Sequence, residues 1–170
     1  MAPYPVKYPA GELALGTGIL GIGPMPGRAG GYEADLAALL RWPAELVLSM
    51  TGPDELEMAG AGGLGADLAA AGVSWCCLPI ANFGAPGPEH AALWAEASAA
   101  AHAVLARGGK VFAHCWAGCG RSGMALMRLM CEAGEKPTAA LLRLRAVRPC
   151  AVEMPAQRAW AAAGFVGVRT

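Results

Sequence analysis

The chain has 170 residues, 55% of them hydrophobic, and 13 Lys+Arg balance 13 Asp+Glu for a formal net charge of +0. That length suits one domain, and much of the apolar share is alanine rather than larger side chains. The basic residues are scattered without a block, which argues against nucleic acid or an anionic membrane as the main partner. The longest apolar stretch, residues 13–25, is interrupted by Gly16, Gly18, Gly21, Gly23 and Pro24 and is too short to cross a bilayer. The N-terminus, MAPYPVKYPA, carries Pro where a signal peptide needs an unbroken apolar helix, so a cytoplasmic location is expected.

Along the chain, apolar runs rich in bulky and β-branched residues alternate with alanine-rich segments of helical period. This is the pattern of strands that cross over through helices into a mostly parallel sheet. Strands are predicted over residues 13–21, 46–50, 73–80 and 110–114. Helices are predicted over 32–41, 53–71 with a break at Gly62 and Gly63, 89–107, 121–133, 138–147 and 155–163. The expected fold is α/β: a single domain over residues 1–170, with a mostly parallel central sheet flanked by helices. Gly16-x-Gly18-x-x-Gly21 has the spacing of a dinucleotide fingerprint, but no capped helix follows it directly and no acidic residue closes a second strand, so it reads as Gly-rich strand and turn.

Ligands of open α/β sheets bind at the carboxyl ends of the strands, where three loops fall: 51–55, 81–88 and 115–122. The last follows a buried strand and runs from His114-Cys115 through Trp116, Ala117, Gly118, Cys119 and Gly120 to Arg121-Ser122, which open a helix. A tight loop ahead of a helix turns successive backbone N–H groups inward and makes a cradle for a tetrahedral oxyanion. Gly118 and Gly120 permit the backbone angles such a cradle needs. A cysteine at its base sits in positive surroundings that favour the thiolate. Arg121 can set its planar fork against two oxygens of the same anion, and Ser122 can donate its hydroxyl to the sulfur.

The six cysteines, at 76, 77, 115, 119, 131 and 150, include no C-x-x-C pair and are read as thiols. Packing is the plain reading for Cys76, Cys77, Cys131 and Cys150, whereas Cys119 is placed to trap an oxidised Cys115 as a reversible disulfide. No two pairs of Cys and His have zinc-ligand spacing, so neither metal nor cofactor is expected.

His114-Cys115, five residues, then Arg121-Ser122 resembles the signature loop of the cysteine-dependent protein tyrosine phosphatases, and the short chain looks like their small dual-specificity branch. The run LPIANFGAPGP, 78–88, resembles that branch's general-acid loop, and RPCAVEMPAQ, 148–157, resembles its R-P-x-x-x-E-T-x-x-Q segment. GPMPGR, 23–28, fits its N-terminal region. The resemblance implies hydrolysis of phosphate monoesters, phosphotyrosine and also phosphoserine or phosphothreonine in proteins, through a phosphocysteine on Cys115. It implies that residues 116–120 and Arg121 bind the phosphoryl group, that Ser122 assists breakdown of the intermediate, and that His114 orients the loop and tunes the thiol. Glu153 and Gln157 would position the hydrolytic water or brace the loop, the alternative being a helix cap near Pro155. The 116–120 stretch carries no Lys or Arg, unlike family members that cleave inositol phosphates, so the expected partner is a phosphorylated protein or a small phosphate ester, met by a monomer.

One position departs from the pattern. Where the family places a general-acid Asp, this chain has Asn82. An amide cannot protonate an alkoxide, and loss of a general acid costs on the order of 10²–10⁴ in rate. Asp54 and Glu89 are candidate substitutes, although Asp54 or Glu55 is more simply a helix cap or first-turn residue. The alternative function is a phosphate-binding pseudophosphatase or substrate-trapping form. Trp116 reads equally as a pocket or a core residue, and His102 as a surface or packing one.

Overall fold

The computed structural model describes residues 7–167; the Pro-rich start of the chain, 1–6, and residues 168–170 lie outside the described residues. In chain order the elements are β1 (Gly11–Leu15), β2 (Gly18–Gly23), α1 (Tyr32–Arg41), β3 (Leu46–Ser49), α2 (Pro53–Met58), α3 (Leu64–Ala70), β4 (Ser74–Cys77), a 3₁₀ turn (Pro88–His90), α4 (Ala91–Ala106), β5 (Lys110–His114), α5 (Gly120–Glu132), α6 (Pro137–Val147) and α7 (Pro155–Ala162). One five-stranded sheet has the order β1-β2-β5-β3-β4. Strands β2, β5, β3 and β4 run parallel and β1 is antiparallel to β2. The expected α/β class and mostly parallel sheet are therefore observed.

The predicted strand over 13–21 is instead a hairpin. Gly16 takes φ +58° in the turn between β1 and β2, a left-handed backbone that costs glycine nothing. Gly18 lets α4 approach, since a Cβ there would lie 2.7 Å from the Leu105 Cα. The glycine spacing thus serves a turn and close packing. The strand predicted over 73–80 shortens to β4, because Pro79 has no N–H with which to continue the ladder. The break expected near Gly62 and Gly63 in the 53–71 segment is observed: α2 ends at Met58 and α3 starts at Leu64, with Gly60 between them at φ +70°.

Alternation along the central strands feeds two cores. Val111 and Ala113 of β5 face one, with Leu46 and Leu48 of β3 and buried residues of α4, α5 and α6. Phe112 faces the other, with Val47, Tyr8, Trp42 and residues of α1 and α3. β5 is thus covered on both sides, and its residues from Val111 to His114 are all buried. This rigid central strand delivers its last residue, His114, and the following Cys115 to the carboxyl edge of the sheet. No helix among the described residues is long and apolar enough to cross a membrane.

Candidate active site

Cys115 leaves the end of β5 with only 3% of its surface exposed. Its Sγ lies 3.3 Å from the Ser122 Oγ on the first turn of α5, the contact expected of a serine that donates to the sulfur. Between them, every carbonyl of the loop is held from outside. The Trp116 carbonyl accepts from Met25 N at 3.1 Å, and the Cys119 carbonyl from Gly123 N at 2.9 Å and Val152 N at 3.3 Å. The Ala117 and Gly118 carbonyls accept from the Arg148 guanidinium, Nη2 and Nε respectively, each at 2.9 Å. In a planar trans peptide the N–H points opposite the preceding C=O, so outward carbonyls impose inward amides. The N–H groups of residues 116–119 donate to no protein acceptor among the described residues. Gly118, at φ +70°, has no room for a Cβ, which would overlap the Gly23 carbonyl.

Arg121 is 1% exposed and its guanidinium is pinned by a residue that the sequence reading treats only as a cap or first-turn position. Nη1 and Nη2 donate to Glu55 Oε2 and Oε1 at 2.7 and 2.8 Å, and Nη1 donates also to the Ile80 carbonyl at 2.9 Å. A guanidinium has five N–H donors. The two of Nη1 and one of Nη2 are taken, while Nε is buried and unpartnered. The end-on Nη1/Nη2 face is therefore occupied by Glu55, and the Nε/Nη2 edge is the one free to meet two oxygens of an anion. Burial works against the charge of Arg121, but the Glu55 hydrogen bonds and the charges of Cys115 and Glu55 outweigh it and raise the pKa. The hydrogen bond to Arg121 holds the Glu55 carboxyl below its ordinary range, against partial burial. Its neighbour Asp54 is exposed on α2, away from this ion pair.

His114 braces the loop from below. Trp75 Nε1 donates to Ser49 Oγ at 2.7 Å, and Ser49 Oγ lies against His114 Nε2. The Cys115 carbonyl can only accept, so Nδ1–H donates to it at 3.2 Å, Nε2 of the neutral ring is the acceptor, and the Ser49 hydroxyl, which accepts from the indole, gives its proton to Nε2. This tautomer follows from the network. Complete burial pushes the His114 pKa down to about 4, against the backbone bond that raises it, so the ring is a neutral brace at pH 7.

Asn82 is exposed, and its Oδ1 accepts from the next residue's N–H, Phe83 N, at 3.1 Å. Phe83 has φ +61°, a strained backbone for an aromatic residue. The loop carrying both is tied to Arg121 through the Ile80 carbonyl and to α7 through the Gly84 carbonyl, which accepts from Gln157 Nε2 at 3.1 Å. Gln157 is fully buried, and its Oε1 accepts from Glu153 N and Met154 N, so it caps α7 and tethers the loop at once. Glu153 Oε1 accepts from Gly120 N at 2.8 Å. Glu89 lies apart in the 3₁₀ turn, 3.1 Å from His90 Nδ1.

The cysteines differ from the reading of six thiols. Cys119 and Cys150, 31 residues apart in sequence, are joined by a disulfide, so Cys150 is not a packed thiol and Cys119, its sulfur already bonded, is not free to trap an oxidised Cys115. The pairing is invisible in sequence because α5 and α6 intervene. Cys76, Cys77, Cys115 and Cys131 are free. Burial raises the thiol pKa of Cys76, Cys77 and Cys131. Trp116 is half-buried against the second core, and His102 bonds Glu132 through Nε2 at 3.1 Å.

No family model matches the chain, and no curated protein matches it in sequence. Solved structures do. A kinase-associated phosphatase carrying serine in place of its catalytic-site cysteine superposes with a TM-score of 0.75 at 21% identity, over 84% of this chain and 83% of that one. Tk-PTP in its active form gives 0.66 at 24%, over 90% and 94%. PTPMT1 gives 0.69 at 20%, over 85% and 88%. The chain has the fold of the cysteine-based dual-specificity and protein tyrosine phosphatases.

Proposed function

We propose that this chain hydrolyses phosphate monoesters, phosphotyrosine before phosphoserine or phosphothreonine, through a phosphocysteine on Cys115. The observation that carries the reading is the ring of donors around one buried thiol: four loop amides without acceptors and the unpartnered Nε edge of Arg121. A buried donor without a partner, as Arg121 Nε is, is rare in folded proteins, and together with the loop amides it offers the donors that a tetrahedral dianion needs. The thiolate of Cys115 attacks phosphorus, the S–P bond forms, and the P–O bond to the leaving group breaks. The amides and Arg121 stabilise the charge on the equatorial oxygens. A water oxygen then attacks phosphorus, the P–S bond breaks, and Ser122 donates to the departing sulfur across 3.3 Å. The relatives of known fold include enzymes of this class, which supports the reading.

Asn82 sets the substrate preference. It supplies no proton, so the leaving oxygen must depart largely unprotonated. A phenol, of pKa about 10, does so far more easily than an alkanol. The same residue favours a second reading, in which the cradle binds phosphorylated partners and turns them over poorly. Steady-state hydrolysis of p-nitrophenyl phosphate beside Cys115→Ser separates the two. Turnover that vanishes in Cys115→Ser supports the phosphatase; inorganic phosphate binding without turnover leaves the binding module.

A further inference from the structure

The segment 148–153 grips the loop. Arg148 holds the Ala117 and Gly118 carbonyls, Val152 N holds the Cys119 carbonyl, and Glu153 takes Gly120 N. By the peptide-plane argument, the two Arg148 bonds aim the amides of Gly118 and Cys119 inward, while Val152 N and Glu153 fix the next peptide by its carbonyl and its N–H. The segment is held in turn from α6, where Arg145 donates Nε to the Ala151 carbonyl at 2.9 Å and Nη2 to the Val152 carbonyl at 2.7 Å. Its one covalent tie to the loop is the Cys119–Cys150 disulfide.

We propose that this disulfide locks the clamp, so that the oxidised chain binds the phosphoryl group tightly and the reduced chain binds it weakly. The inference rests on the phosphatase reading above and deepens it, with Arg148 as a positioning residue and the disulfide as its latch. Two observations point to release on reduction. Val152 is buried with φ +63°, a conformation that a β-branched residue holds only when its surroundings impose it. With one constraint gone, relaxation of that turn carries Val152 N and Glu153 away from the loop. The latch is also reachable, because Cys150 is exposed and Cys119 partly so, while Cys115 is buried. A dithiol reductant attacks one sulfur to form a mixed disulfide, and its second thiol then closes into a cyclic disulfide, leaving Cys119 and Cys150 as thiols. Two electrons pass from the dithiol to the protein. The hydrogen bonds of Arg148 and Arg145 survive, so the loop loosens rather than collapses.

Calorimetric titration with inorganic phosphate tests this on the oxidised chain, the dithiothreitol-treated chain, and Cys150→Ser with and without dithiothreitol. Reduction should raise the phosphate Kd about tenfold, the scale of donors displaced by well under an ångström. Cys150→Ser should show the weaker value under both conditions. Arg148→Gln should weaken binding in either redox state and Arg148→Lys should restore only part of it, since an ammonium lacks the planar Nε/Nη2 fork that spans the two carbonyls. Equal Kd in oxidised and reduced wild type, within twofold, overturns the latch while leaving the phosphatase reading intact. So does alkylation of all 6 cysteines in the unreduced, unfolded chain. Should neither form bind phosphate, the phosphatase reading fails and the latch goes with it. If Cys150→Ser does not fold, the wild-type redox pair decides.

Discussion

Glu55→Gln is the sharpest probe of how Arg121 is aimed. The wild-type carboxylate meets the guanidinium bidentately at 2.7 and 2.8 Å, with side-chain exposures of 26% for Glu55 and 1% for Arg121. Removing one partner of a fully buried pair costs about 3–5 kcal/mol, because the other charge is left uncompensated. Here water reaches the Glu55 side and glutamine keeps one acceptor, so the loss should be nearer 2 kcal/mol. The catalytic loss should be larger than that stability change suggests. Without the bidentate end-on lock the guanidinium can turn, and the Nε/Nη2 edge no longer faces the phosphoryl oxygens. An orienting contact of this kind is worth about 10–10² in kcat/KM. The assay is p-nitrophenyl phosphate hydrolysis across pH 5–8, with thermal unfolding of the same samples. Because Arg121 holds the Glu55 carboxyl below its ordinary range, the wild type should show no loss attributable to Glu55 protonation within that window. Glu55→Asp, one methylene short, should fall between. If Glu55→Gln keeps kcat/KM within threefold and its unfolding midpoint is unchanged, the idea that Glu55 aims Arg121 is wrong.

Other perturbations follow from the same geometry. Asn82→Asp should raise kcat toward alkyl phosphates by about 10² or more while changing p-nitrophenyl phosphate turnover much less, since only the poorer leaving group needs the proton; equal gains on both substrates would show that position 82 is not where the proton is delivered. Gly118→Ala should lower kcat/KM at least 10²-fold, because a Cβ would overlap the Gly23 carbonyl and the loop must shift; near-normal turnover would mean that the loop tolerates a different path. Glu132 should make the fold sensitive to acid. Burial alone would raise its pKa, but hydrogen bonds from His102, Ser98, Trp94 and Arg128 bring it down to about 2. A folded pKa below the ordinary 4.5 means that the stabilisation is complete above that value and is lost as pH falls toward 2. The full amount is at most roughly 3 kcal/mol, and Glu132→Gln should flatten the corresponding limb of stability against pH. His114 acts in the same direction at higher pH, its folded pKa of about 4 drawing stability away as pH drops below 6.5.

The parts of the site that sequence exposes are those whose cause is local. Cys115, Ser122 and Gly118 lie within one loop, and their spacing alone implies a thiol at the foot of an amide cradle. The mostly parallel sheet follows from the alternation of apolar runs with helical segments. The misses have non-local causes. The hairpin at Gly16 needs the left-handed backbone of a single glycine, which looks the same in sequence as a strand glycine. The Ser49–Trp75 brace under His114 depends on neighbouring positions of three strands. The disulfide and the Arg148 clamp join the loop to a segment that two helices separate from it.

Glu55 is different, because a physical question put to the sequence could have found it. An arginine expected at the base of a cradle behind a buried strand cannot shed its charge, and a buried guanidinium needs a carboxylate partner. The partner has to come from another loop at the same edge of the sheet, and 51–55 and 81–88 are the two available. The second, up to Pro88, has no acidic residue; the first ends in Asp54 and Glu55. Asp54 sits one position earlier on the first turn of α2, and a step of one residue turns a helical side chain by about 100°. Only one of the two can face the sheet edge, and the cap or first-turn role that suffices for either says nothing about which. The structure puts Asp54 outward and Glu55 on Arg121. With both ends of that ion pair fixed, the Nε edge has a single direction left, toward the cradle, and a partly buried carboxylate partner thereby decides which face of the arginine meets the phosphoryl group.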